Sequence, residues 1–147
     1  MLALAIMFFA APNLMAAVAV PQGVWLLEQK AAVQIYDCDG LMCGRILWLA
    51  VPRDPQGELD LDKYNPDLGL RQRKLCGLTI ISSLEPDGAN RWKNGSFYNP
   101  DDGKTYRVTA QLKSDDVMVV RIYLLLPLFG KTKTLVRVRH GITEGWC

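Results

Sequence analysis

"KTYRVTAQLKSDDVMVVRIYLLL", residues 104–126, carries the pattern that decides the fold. Tyr106, Val108, Ala110 and Leu112 take alternate positions, with Thr105, Arg107, Thr109 and Gln111 between them. Successive side chains of a strand point to opposite faces, so the spacing predicts a half-buried strand. Ser114-Asp115-Asp116 follows as a polar turn. The chain then resumes over Val117–Leu126 with Met118, Val120, Ile122 and Leu124 on one face and Arg121 and Tyr123 on the other. Two such runs joined by a short turn form an antiparallel hairpin.

The same reading extends in both directions. Toward the C-terminus, Lys131–Arg139 sets Thr132, Thr134, Val136 and Val138 against Lys133, Leu135, Arg137 and Arg139. Toward the N-terminus, Val24–Glu28, Val33–Cys38, Cys43–Ala50, Gly77–Leu84 and Trp92–Tyr98 have strand length. Turn residues separate them: Asp39-Gly40, Pro86-Asp87-Gly88 and Asn99-Pro100-Asp101-Asp102-Gly103. The expectation is an all-β chain, an antiparallel up-and-down β-barrel of about eight strands, because closure removes exposed strand edges. The inward set is Val33, Ile35, Val108, Ala110, Met118, Val120, Ile122, Val136 and Val138, mostly aliphatic. Such a lining either packs solid or leaves a dry cavity. Val51–Leu75 does not alternate and is too long for a hairpin turn; it is expected to cross one end of the barrel with a short helical turn.

Residues 1–19 contain no charged side chain. The apolar run from Leu2 to Ala11 falls short of the roughly 20 residues that span a bilayer. Pro12-Asn13 breaks it, and Ala17-Val18-Ala19 has the small-residue form of a cleavage site. The segment reads as a secretory signal peptide, 1–19, ahead of one domain over 20–147, although no Lys or Arg precedes the apolar run. An uncleaved anchor is the alternative. A periplasmic or secreted protein is expected. Its net charge of +2 gives no concentrated basic face, so nucleic acid is not expected as a partner. Lys131, Lys133, Arg137 and Arg139 read as outward positions of a strand.

Four cysteines in a short exported chain point to disulfides. Cys38 and Cys43 flank a hairpin end and are the favoured pair; Cys76 and Cys147 either pair or stay free. No metal is expected, since the cysteines lack zinc spacing and His140 is the sole histidine. Asn99–Thr105 resembles a calcium loop only superficially and reads as a Pro-Asp-Asp-Gly turn. Asp54, Glu58, Asp60 and Asp62 offer carboxylates for acid/base work but read first as a charged loop. Ser96 has no evident base, and His140 reads as a solvated tail residue. No catalytic residue and no cofactor is assigned.

Gly23-Val24-Trp25 on the first strand resembles the Gly-x-Trp signature of lipocalins. That resemblance implies that Trp25 closes one barrel end under Arg137 or Arg139 from the last strand. A wider set of residues is similar to an exported bacterial family known as domain of unknown function 2147. It comprises Cys43-Gly44-Arg45-Ile46-x-Trp48, Asn65-Pro66-Asp67, Leu70-Arg71-x-Arg73, Leu75-Cys76-Gly77-Leu78, Trp92-x-x-Gly95, Asp102-Gly103-Lys104-Thr105-Tyr106 and Phe129-Gly130. Leu135-Val136-Arg137-Val138 departs from the family's Trp-Thr-Arg-Val. The family implies a lipocalin-like barrel in the cell envelope and no established reaction.

The expected function is binding of a small apolar or amphipathic molecule inside the barrel, without catalysis. Ligand-binding candidates are Ile35, Ile46, Trp48, Ile80, Trp92, Val108, Met118, Val120 and Ile122. An envelope interaction module with a packed barrel is the first alternative, and a hydrolase using the loop carboxylates the second. Leu124–Phe129 is uniformly apolar: it either touches lipid or a partner protein, or lies buried beneath the long loop.

Overall fold

The computed structural model describes residues 19–140. The expected signal peptide, except for Ala19, and Cys147 lie outside the described residues. Eight strands follow one another: β1 (Gly23–Leu27), β2 (Ala31–Cys38), β3 (Leu41–Leu49), β4 (Thr79–Pro86), β5 (Arg91–Asn99), β6 (Lys104–Ser114), β7 (Val117–Tyr123) and β8 (Lys131–Arg137). Each pairs antiparallel with the next, and β8 pairs with β1 through Trp25↔Arg137, Leu26↔Val136 and Leu27↔Leu135, which closes the barrel.

Up-and-down connectivity puts the β2–β3, β4–β5 and β6–β7 turns at one end. The β1–β2, β3–β4, β5–β6 and β7–β8 connections gather at the other. The half nearer the first end is packed solid. Trp25, Trp92, Met42, Leu84, Met118, Val108 and Leu135 are each no more than 1% exposed. Gly95 makes this density possible, because a Cβ there would meet Leu84 Cδ2 at 2.7 Å and Val108 Cγ1 at 2.9 Å. Cys38 and Cys43 are disulfide-bonded across the β2–β3 hairpin, with Cα atoms 6.0 Å apart. Cys76 is disulfide-bonded as well.

Three expectations need correction. β7 ends at Tyr123, and Leu124–Leu126 leave the sheet ahead of a 3-10 turn, Pro127–Phe129, that proline initiates. The faces of β8 are the reverse of the expected ones. Leu135 is buried opposite Met118, whereas Val136 is half exposed; Val138 lies past the strand, its N–H donating to Val24 O. Pairing Arg137 with Trp25 fixes this register, and a one-residue slip would turn every side chain over. Consequently Lys131 and Lys133 do not sit on the outer face but at the open mouth.

Trp48 is displaced by a bulge. Val33 opposes Ile46 and Ala32 opposes Trp48, so Leu47 is the extra residue and Trp48 shares the face of Ala32, not that of Val33. Period-two counting runs through such a site without registering it.

Candidate functional site

A cavity of about 910 Å³ occupies the open half of the barrel. Its inner wall is apolar: Leu27, Ile46, Leu49, Ile80, Phe97 and Ile122, each from a strand, with Leu75 added by the long β3–β4 loop. Charged groups stand only toward the mouth. Lys30, Lys131 and Lys133 come from the β1–β2 turn and β8; Asp60, Asp101 and Asp102 come from the long loop and the β5–β6 turn. The arrangement suits a molecule with an apolar body and a polar end.

Trp25 and Arg137 cap the closed end of the barrel, opposite the mouth, and neither lines the cavity. The Arg137 guanidinium carbon sits 4.2 Å from the Trp25 ring centroid. Its Nε donates to Asp115 O at 2.7 Å and its Nη1 to Gln22 O at 2.6 Å. Trp25 Nε1 donates in turn to Pro21 O at 3.1 Å. The alternative residue, Arg139, is engaged elsewhere, donating to Asp116 Oδ1 at 2.7 Å.

The long loop is held over the open end by a buried polar node. Asp62 is fully buried, and its Oδ2 accepts from Asn65 Nδ2 at 2.8 Å and Arg73 Nε at 2.7 Å. Its Oδ1 accepts from the Tyr98 hydroxyl on β5. Burial opposes ionisation of Asp62, but the bonds from Tyr98, Asn65 and Arg73 outweigh it and hold the carboxyl below its ordinary range. Burial and the adjoining Asp62 charge raise the Tyr98 phenol. A second clip lies at Gly103, where φ is +69° and a Cβ would collide with the Tyr64 carbonyl oxygen. Asp102 steadies the same turn by accepting from Tyr106 Oη at 2.6 Å and Lys104 N at 2.9 Å.

At the rim, Lys133 Nζ lies 2.7 Å from Glu28 Oε1, and that bond lowers the Glu28 carboxyl from its usual value. The loop carboxylates do not converge. Asp54 accepts from its own turn, at Gln56 N and Glu58 N; Glu58 is exposed; Asp60 faces Lys63 at 3.4 Å. Ser96 pairs with Ser82 and Arg107, and His140 is exposed. No group of three or more His, Cys, Asp or Glu able to hold a metal occurs among the described residues.

The residues singled out from sequence divide into three sets. Ile46, Ile80 and Ile122 stand on the cavity wall. Ile35, Trp92, Val108, Met118 and Val120 belong to the packed core. Trp48 is on neither. Sequence reasoning did not select Leu27, Leu49, Leu75, Phe97 or Tyr106, which also line the cavity. Tyr106 was legible, since it shares a face with Val108; Leu75 was not, because its loop has no period.

The family model described as "Uncharacterized protein conserved in bacteria (DUF2147)" matches residues 23–137, from the Gly-x-Trp strand through Arg137. The chain belongs to DUF2147. Among solved structures, this DUF2147 protein is similar to protein HP1028 from the human pathogen Helicobacter pylori, described as belonging to the lipocalin family. The two are 27% identical with a TM-score of 0.69, over 82% of this chain and 84% of that one. No curated protein matches the sequence. The lipocalin likeness agrees with the closed eight-stranded barrel.

Proposed function

We propose that this DUF2147 protein is an exported, non-catalytic carrier of one small amphipathic molecule. The observation that carries the reading is the cavity itself, about 910 Å³, walled by aliphatic and aromatic side chains and ringed by charge. Ligand pockets of small molecules run to roughly 300–1,000 Å³, so one extended ligand is the right scale. Burial of its apolar body at about 25 cal/mol per Å² supplies the affinity, and the mouth sets its orientation. The lipocalin likeness supports the same reading. The Cys38–Cys43 bond supports an oxidising compartment, periplasmic or extracellular.

Titration of delipidated protein with an environment-sensitive naphthalene probe, followed by displacement with fatty acids of graded length, tests this. Saturable one-to-one binding is expected. Absence of probe binding, together with native mass spectra that show no adduct on protein from its host, overturns it. The packed half gives the interaction-module reading only part of what it requires, since the other half is open.

A further inference from the structure

From Leu124 to Phe129 the β7–β8 connection reads LLLPLF, without one polar side chain. Leu124, Leu125, Leu126, Leu128 and Phe129 are 55%, 86%, 57%, 78% and 81% exposed, so the long loop does not cover them. A contiguous apolar patch of this kind marks a contact surface.

Part of the backbone beneath it is satisfied from within. Phe129 N–H donates to Leu126 O and Gly130 N–H to Pro127 O, each at 3.1 Å. Arg121, on β7, donates from Nε to Pro127 O at 2.8 Å and from Nη2 to Leu128 O at 3.0 Å. Its Nη1 reaches Thr132 Oγ1 at 2.8 Å, which fixes the guanidinium at the base of the tip. Pro127 has no N–H to satisfy.

This chemistry separates two kinds of contact. A specific protein interface carries about one hydrogen bond per 100–200 Å². The tip has no side-chain donor or acceptor to offer, and its Pro127 and Leu128 carbonyls are already engaged. Lipid asks no hydrogen bond of the side chains it meets, and insertion no deeper than the headgroup–acyl boundary leaves the remaining tip N–H groups within reach of headgroup oxygens and water. Charge points the same way. Lys131 follows the tip directly, and Lys30 stands on the neighbouring β1–β2 turn across β8 and β1. Neither takes an ion pair among the described residues, whereas Lys133 is matched by Glu28. The acids Asp101 and Asp102 stand on the β5–β6 turn, on the other flank.

We propose that Leu124–Phe129 inserts into the headgroup–acyl boundary of an anionic phospholipid bilayer, with Lys30 and Lys131 against the phosphates and the cavity mouth toward the membrane. Leu124, Leu125, Leu126 and Phe129 also line the cavity rim, so a docked barrel opens onto the lipid. The docking goes beyond the carrier reading and does not require the cavity to be filled.

Flotation with phosphatidylcholine vesicles, with and without phosphatidylglycerol, tests it on the oxidised protein. The wild type is expected to float with the anionic vesicles and to be released by salt. Leu125→Asp/Leu128→Asp is expected to lose tenfold or more of the bound fraction, and Lys131→Glu to lose several-fold. Leu68→Asp, an exposed leucine of the long loop, is expected to behave as the wild type. Circular dichroism of each variant checks the barrel. No flotation of the wild type, or unchanged flotation of the double variant, overturns the proposal. So does a dimer, seen by sedimentation, that the double variant dissolves while vesicles go unbound; a second copy of the chain would then cover the tip. Lipid carried in the soluble fraction by protein that never floats supports the carrier reading and overturns this one.

Discussion

The guanidinium of Arg137, on the last strand, lies 4.2 Å from the ring centre of Trp25, on the first. One contact therefore joins the two strands whose pairing closes the barrel, at the end opposite the cavity mouth. Arg137→Ala removes the cation–π contact and leaves the Gln22 and Asp115 carbonyls without their donor. A loss of about 2 kcal/mol in urea unfolding is expected. Arg137→Lys is expected to recover less than half of it, because an ammonium cannot reproduce the planar fork. Full recovery by lysine would show that charge alone matters there.

Asp62 makes the long loop acid-sensitive. Its folded carboxyl is held below the unfolded value of 3.8, so the stabilisation is present above that value. It is lost as pH falls through the lower folded value, so the window opens near pH 4 and extends downward. Asp62→Asn leaves Arg73 and Tyr98 without the anion they share. With Arg73 partly solvated, the expected cost at pH 7 is about 2 kcal/mol. The variant's stability should change less than the wild type's between pH 5 and pH 2, as measured by chemical denaturation. Parallel pH profiles would remove Asp62 as the source.

How far the sequence foretold this structure depends on the element. β6 and β7 were legible because alternation reports directly on a sheet with one buried face. β8 misled because its inward side chains include Lys131 and Lys133, which face the mouth, and Arg137, which lies over the Trp25 ring, rather than oil. A hydrophobicity pattern cannot distinguish such positions from a solvated face. The wall was half legible: Ile46, Ile80 and Ile122 come from strands, whereas Leu75 reaches the cavity from a loop held by Asp62. Which inward residues fill the barrel and which leave space depends on where Gly95 admits Leu84, a three-dimensional fact.

Gly103 is the other anchor of that loop. Alanine there is doubly unfavourable, since φ is +69° and the new Cβ would strike the Tyr64 carbonyl. Gly103→Ala is expected to leave the strands intact by circular dichroism, to lower Tm by several degrees, and to raise protease cleavage within residues 51–75 by tenfold or more. Cleavage at the wild-type rate would mean that the loop does not depend on this clip.

Two buried tryptophans should respond differently to the same change. Trp25 Nε1 donates to Pro21 O, while Trp92 Nε1 is buried without a hydrogen-bond partner among the described residues. Trp25→Phe loses packing volume, a hydrogen bond and part of the Arg137 contact. Trp92→Phe loses volume but also removes an unsatisfied donor, whose burial costs about 1–3 kcal/mol. The Trp92 variant is expected to be the more stable of the two by at least about 1 kcal/mol in urea unfolding. The reverse order would show that Trp92 Nε1 has a bound-water partner.

The division of the barrel into a filled half and an open half gives the sharpest contrast. Ile122 and Val108 both point inward and face each other across β6 and β7. Ile122 borders the cavity, while Val108 is 1% exposed and within reach of Gly95. Ile122→Phe adds its ring to empty space, so Tm should hold within a few degrees while probe affinity falls tenfold or more. Val108→Phe must displace packed neighbours and should cost about 1–3 kcal/mol, with little direct effect on the affinity of the protein that remains folded. Equal destabilisation by both would mean that the upper barrel is filled in solution. Unchanged probe binding in Ile122→Phe would place the ligand elsewhere, because a ring at that wall cannot share the space with it.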